Sequence, residues 1–142
     1  MADCPPVQPF GKVAALKYLA MGPDERVKLG PDECADAAVS LAQYAAYLQG
    51  LAQRAEAEVL VLNDRIDALV SQQAARLVAS SFAERRRLAI LGHKEASELH
   101  AYCKLAEAKA KSLAYMANRL DRIGQTYENL SHVRRRDREY AN

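Results

Sequence analysis

Residues 34–69 read CADAAVSLAQYAAYLQGLAQRAEAEVLVLNDRIDAL, and this stretch decides the fold. Stepping alternately by four and three residues picks out Cys34, Ala38, Leu41, Ala45, Leu48, Ala52, Ala55, Val59, Leu62, Ile66 and Leu69. All eleven are apolar. A series repeating every ~3.5 residues stays on one face of a slightly underwound helix, and that face has to be buried against another helix. A second seam starts at Ala96 and continues through Leu99, Cys103, Ala106, Ala110, Leu113, Ala117, Leu120, Gly124 and Tyr127. Both alternate Ala with larger residues, so two backbones can approach closely while Leu and Ile fill the space between layers. The expected fold is all-α: an elongated helical hairpin or coiled-coil-like bundle, joined into an oligomer.

At 142 residues the chain has the length of one domain. Half its residues are apolar, but it has two Phe and no Trp, so large core-fillers are scarce and a thin core between helices suits it better than a globule. Val61, Val70, Met116 and Ile123 fall outside a single seam, and self-association would bury them.

The net charge is only +2, but it is unevenly spread. From Asp32 to Val70 seven acids face Arg54 and Arg65, whereas from Arg76 onward fourteen Lys and Arg face eight acids. Such asymmetry fits either helices packed on each other by charge or a face that binds a polyanion. The three cysteines, Cys4, Cys34 and Cys103, lack close spacing and two lie on the seams, as expected of buried thiols in a reducing cytoplasm. Residues 1–11 carry three prolines and no apolar run, so no signal peptide is read there, and no stretch is apolar enough for a membrane span.

Taken in order, Pro5, Pro6, Pro9 and Gly11 predict an extended arm, and Val13 to Met21 a short helix ended by Gly22 and Pro23. Gly22-Pro23-Asp24-Glu25 is echoed by Gly30-Pro31-Asp32-Glu33: Pro suits a first helical position, and acids favour the positive end of the helix dipole. The first long helix is expected over about Asp32 to Val78. Gly50, off the seam, costs about 1 kcal/mol relative to Ala, tolerable in so many turns. Near Gln72, Gln73 and Arg76 the seam turns polar, marking the end of pairing or a surface with another use.

Ser81-Phe82-Ala83-Glu84 has the form of a capping box, which places the turn there and a helix over Phe82 to Leu91. Gly92 leaves open a break or uninterrupted passage. The second long helix is expected from about His93 to Leu130, with a stripe of Ile123, Tyr127, Leu130 and Arg134 taking over past Leu120. The chain thus divides into an arm with a short helix (1–31), a first long helix (32–78), a turn and second long helix (79–130) and a basic tail (131–142), helical for a turn or two.

Little in the chain suggests catalysis. His93 and His100 lie two turns apart, roughly 10 Å along the axis, too far to share a metal, and Glu95 and Glu98 do not form the Glu-x-x-His pairs of di-iron bundles. No metal site or cofactor is expected. The glycines are scattered singly, and neither a nucleophile elbow nor a phosphate loop is present. The basic residues are more informative. Arg76, Arg85, Arg86, Arg87 and Lys94 gather around the turn, with the Arg85 to Arg87 run spanning about 200° of helix surface. Arg134, Arg135, Arg136 and Arg138 form a second group, bracketed by Tyr127 and Tyr140. Cations with interleaved aromatics suit single-stranded nucleic acid, whose phosphates are held by charge and whose unstacked bases lie on rings. The bland alternative is a solvated charge run with core tyrosines. Several copies in one assembly would multiply a weak contact.

From about Leu41 onward the order of features resembles the small phage recombination mediators of the UvsY type. The residues that carry the resemblance are Leu41-Ala42-Gln43-Tyr44-Ala45-Ala46-Tyr47-Leu48, then Ala75-Arg76-Leu77, then Ser81-Phe82-Ala83-Glu84-Arg85-Arg86, a long helix, and Leu130-Ser131-His132-Val133-Arg134-Arg135. That family ends its first helix in a Lys-x-Arg-Leu segment tied to single-stranded DNA. Arg76 and Leu77 match it, while Ala74 stands in place of the Lys. The resemblance implies a homo-oligomeric, non-enzymatic protein of the host cytoplasm that binds single-stranded DNA, loosens a single-strand-binding protein and helps load a RecA-like recombinase. The rival expectation is a coiled-coil adaptor or assembly chaperone of a phage tail or secretion apparatus, whose basic surface meets an acidic protein.

Overall fold

The structure, a computed structural model, describes residues 12–142. The expected arm and Cys4 lie outside the described residues. Five helices follow in order: α1 (Lys12–Ala20), α2 (Pro23–Val27), α3 (Pro31–Arg76), α4 (Phe82–Leu91) and α5 (Lys94–Ala141). Among the described residues there is no strand, so the chain is all-α. Both Gly-Pro-Asp-Glu segments start a helix, with Pro23 and Pro31 as first residues. The Glu25 carboxylate accepts the Gly22 N–H at 3.1 Å. Two boundaries differ from expectation. α3 stops at Arg76, short of Val78, and α5 runs unbroken to Ala141, so the basic residues from 131 onward belong to it rather than to a separate tail.

The helices form two compact units. One takes the described chain up to Gly50 together with Leu113–Asn142, and the other is Leu51–Ser112. Within each, α3 and α5 run antiparallel, as the order of their contacts shows: Arg65 with Glu95 and Val59 with Cys103 in the second unit, Pro31 with Ser131 and Leu41 with Gly124 in the first. Every residue of the two heptad seams is buried or half-buried. Removing such a face from water is the main stabilising term for a helix pair whose propensity alone is marginal.

In the second unit the core gathers Ile66, Val70 and Ala74 of α3, Ala89 and Ile90 of α4, and Ala96 and Cys103 of α5. Val70 therefore needs no second copy to bury it: α4 does so within the chain, and the residue is 1% exposed. The cause is helical drift. Past Ile66 the buried positions step by four, because a helix with ~3.6 residues per turn slides off a strict heptad and turns its face toward α4. Gly92 ends α4, and His93 caps the start of α5, its Nδ1 accepting the Ala96 N–H at 3.2 Å. Gly92 is thus a break. Burial and the nearby Glu107 carboxylate push the Cys103 thiol above its ordinary range, as suits an inert core sulfur.

In the first unit Ala15 and Tyr18 of α1, Cys34, Ala37 and Leu41 of α3 and Leu120 and Tyr127 of α5 are buried, with the Tyr18 and Tyr127 rings 5.9 Å apart. At Gly124 α5 and α3 approach closely: a Cβ there would lie 3.4 Å from Leu41 Cβ and 3.5 Å from the Ala38 carbonyl oxygen. Gly50 is the opposite case, since a Cβ there would meet nothing within 4 Å. Gly50→Ala is expected to stabilise the chain by about 0.5–1 kcal/mol through helix propensity. A melting midpoint that stays put or falls would show that the backbone at Gly50 needs glycine.

Candidate nucleic-acid interface

The end of α3, the 77–81 connection, α4 and the first residue of α5 hold five of the predicted phosphate-binding cations within the second unit. The connection is set by its serines. Ser81 accepts the Glu84 N–H at 3.2 Å, half of the predicted capping box, while the Glu84 carboxylate turns to the Ser80 hydroxyl at 2.6 Å. That cap aims α4 so that Ala89 and Ile90 reach the core.

The five cations have different fates. Arg86 is a brace: its Nε donates to Asp67 at 2.5 Å and Nη2 to Asn63 at 3.3 Å, which ties α4 to α3 and removes it from the free cations. Arg85 is half-buried, and its Nε is buried without an acceptor. With Val70, Ser71, Ala74 and Phe82 it lines a groove of about 420 Å³ that also holds Asp67 and Arg86. Arg87, two residues on, points to the far side of α4, about 200° away. Arg76, the last residue of α3, and Lys94, the first of α5, are exposed. Arg76, Arg85, Arg87 and Lys94 have no carboxylate within ion-pair distance among the described residues.

Phe82, which the sequence reading used as part of a cap and of the family motif but not as a contact, is 69% exposed at the groove. Its neighbour in the connection, Val78, is fully exposed. The readable signal was an aromatic at the first position of a helix, before the apolar face that packs inward has begun.

The second predicted group lies in the first unit, and the structure corrects two of its members. Arg134 turns inward: its guanidinium donates to the Leu29 carbonyl, to the Arg26 carbonyl at 3.0 Å, and lies 3.4 Å from Cys34 Sγ. It ties down the carbonyls at the C-terminal end of the short helix α2, where that of Arg26 also accepts the Leu29 N–H at 3.3 Å, and is committed to the fold. Tyr127 is 2% exposed, with its hydroxyl donating to the Tyr18 carbonyl at 3.0 Å and its ring 5.9 Å from that of Tyr18, so no base can stack on it. Arg135 sits 3.7 Å from the exposed Asp32 carboxylate, a pair worth little in water. Arg136, Arg138 and Tyr140 are exposed.

Among the described residues no group of three His, Cys, Asp or Glu side chains is placed to hold a metal ion, and no helix is long and apolar enough to cross a membrane. Comparison with protein-family models, with curated proteins and with solved structures finds no match to this chain.

Proposed function

We propose that this chain binds single-stranded DNA through the α3–α4 end of its second unit and, as a homo-oligomer, mediates the loading of a RecA-like recombinase onto DNA coated by single-strand-binding protein. The observation that carries the DNA contact is the set of cations left without carboxylate partners, Arg76, Arg85, Arg87 and Lys94, at the end of the unit that exposes the ring of Phe82, with Arg85 in the same groove as that ring. Guanidinium and ammonium groups neutralise phosphates, and an exposed aromatic face stacks a base of any sequence. The recombinase and the single-strand-binding protein enter from the resemblance to the UvsY type of mediator. Arg136 and Arg138 form a weaker second contact. Arg86 and Arg134 do not take part, because each is held by partners inside the fold.

The test is titration of a labelled oligothymidylate over a range of salt. Binding is expected at low salt and to weaken steeply as salt rises. The combined variant Arg76→Glu, Arg87→Glu, Lys94→Glu is expected to lower the log–log salt slope by about 2, at ~0.7 per phosphate contact on a single strand. The absence of binding at low salt, or a slope unchanged in the variant, would reject the reading.

A second reading rests on other residues. Val61 of α3 and Tyr102 and Leu105 of α5 are 67%, 64% and 68% exposed, large apolar side chains that a protein neighbour would cover. A coiled-coil adaptor or assembly chaperone would use them. Salt-insensitive capture of a protein, without affinity for DNA, would favour that class.

A further inference from the structure

The first unit carries a groove of about 460 Å³ that the nucleic-acid reading does not use. Leu16 and Leu19 of α1 and Met116 and Ile123 of α5 make its apolar walls, Arg26 and Arg119 are its cations, and no carboxylate lines it. Leu16 and Met116 remain 48% and 45% exposed, so the groove is an open trough. Met116, Arg119 and Ile123 follow the i, i+3, i+7 spacing of a helix surface that receives another helix.

Arg26 is held in place without a counter-ion. Its carbonyl is fixed by Arg134, its guanidinium carbon lies 5.8 Å from the centroid of the buried Tyr127 ring, and its Nε is buried without an acceptor. Neither Arg26 nor Arg119 has a carboxylate within ion-pair distance among the described residues. A fixed guanidinium at the edge of a hydrocarbon trough attracts an anion carried on an apolar body.

We infer that this groove docks an acidic amphipathic helix of another protein, with apolar side chains entering between α1 and α5 and carboxylates reaching Arg26 and Arg119. The other candidate occupants fit worse. A second copy seated by a two-fold axis would set Arg26 and Arg119 against themselves in a drying contact, which like charges disfavour. A nucleic-acid strand would lay hydrated phosphates over Leu, Met and Ile. An acyl chain would be left open to water along the length of the trough.

The probe is a labelled two-heptad peptide with Leu at the a and d positions and Glu at e and g, compared with its Lys-for-Glu counterpart by fluorescence anisotropy on the full chain. The Glu peptide is expected to bind, most tightly at low salt, and the Lys peptide is not. Arg119→Glu, at an exposed position, is expected to weaken the Glu peptide by about tenfold or more, and Lys109→Glu, outside the groove, to leave it unchanged. Four results would each overturn the inference: no binding of the Glu peptide at low salt; equal binding of both peptides; dissociation of the chain's own oligomer by Met116→Glu; or displacement of the peptide by an oligothymidylate whose binding also needs Arg119. The first two strike this groove alone and leave the DNA contact of the second unit standing.

Discussion

Arg134→Ala is expected to lower stability by about 3 kcal/mol, which for a chain of this size moves the melting midpoint by roughly 10 °C. The side chain donates to the carbonyls of Leu29, which follows α2 and takes no backbone donor, and of Arg26, which also accepts the Leu29 N–H at 3.3 Å. Removing it leaves both without their charged donor in a half-buried place. Lys at this position keeps the charge but lacks the planar fork that spans two carbonyls, so it restores only part of the loss. Arg136→Ala, at an exposed position two residues on, is expected to change stability by less than about 0.5 kcal/mol. Trypsin provides a second readout, because loosening of the α2–α3 connection opens the bond after the exposed Lys28 to cleavage. A melting midpoint for Arg134→Ala within about 2 °C of the parent would show that the guanidinium is not a fastener.

Tyr127→Ala is expected to cost about 3–5 kcal/mol, the largest effect of any single truncation in the first unit. The ring is buried against that of Tyr18, the Arg26 guanidinium lies over it, and its hydroxyl donates to the Tyr18 carbonyl. Tyr127→Phe separates these contributions. It keeps the ring and removes only the hydroxyl, so it should cost about 1 kcal/mol. Because Tyr127 and Arg134 hold the same α1–α2 segment, the double variant Tyr127→Ala, Arg134→Ala should lose less than the sum of the single losses. Additive losses, or a Tyr127→Ala midpoint near that of Tyr127→Phe, would mean that the two side chains act on separate parts of the molecule.

The helix pairing was legible because burial repeats with the helical period. Stepping from Cys34 and from Ala96 by four and three lands on no exposed residue through Leu69 and Tyr127. The docking of α4 was not legible, since Val70 and Ala74 leave the heptad where the neighbour changes, and a one-helix pattern does not encode a second neighbour. The basic groups show the same limit. Charge runs point to the ends of helices, but not to which guanidinium folding will consume. Arg86 and Arg134 differ from Arg87 and Arg136 only in helical phase: each pair is one or two residues apart, yet the first of each is braced and the second is not. For Arg134 a clue was present. Continuing the second seam by four and three from Tyr127 gives Ser131 and Arg134, polar residues at positions that have to be inside. The structure supplies the partners such residues require, with the Ser131 hydroxyl donating to the Pro31 carbonyl at 2.8 Å. Phe82 was missed for the converse reason: at the first position of α4 it counted only as part of the helix start, and only the direction of α4 leaves it outside.

The bond from Tyr127 to Tyr18 joins residues 109 apart, and that from Ser131 to Pro31 residues 100 apart, whereas Leu51–Ser112 is a single continuous piece. Emerging from a ribosome, the continuous piece has all its partners at hand and can settle while translation goes on. The α1–α3 segment before it must wait until Leu113–Asn142 has been made, on the order of ten seconds at ordinary elongation rates. During that wait Tyr18, Leu41 and Leu48 stay wet.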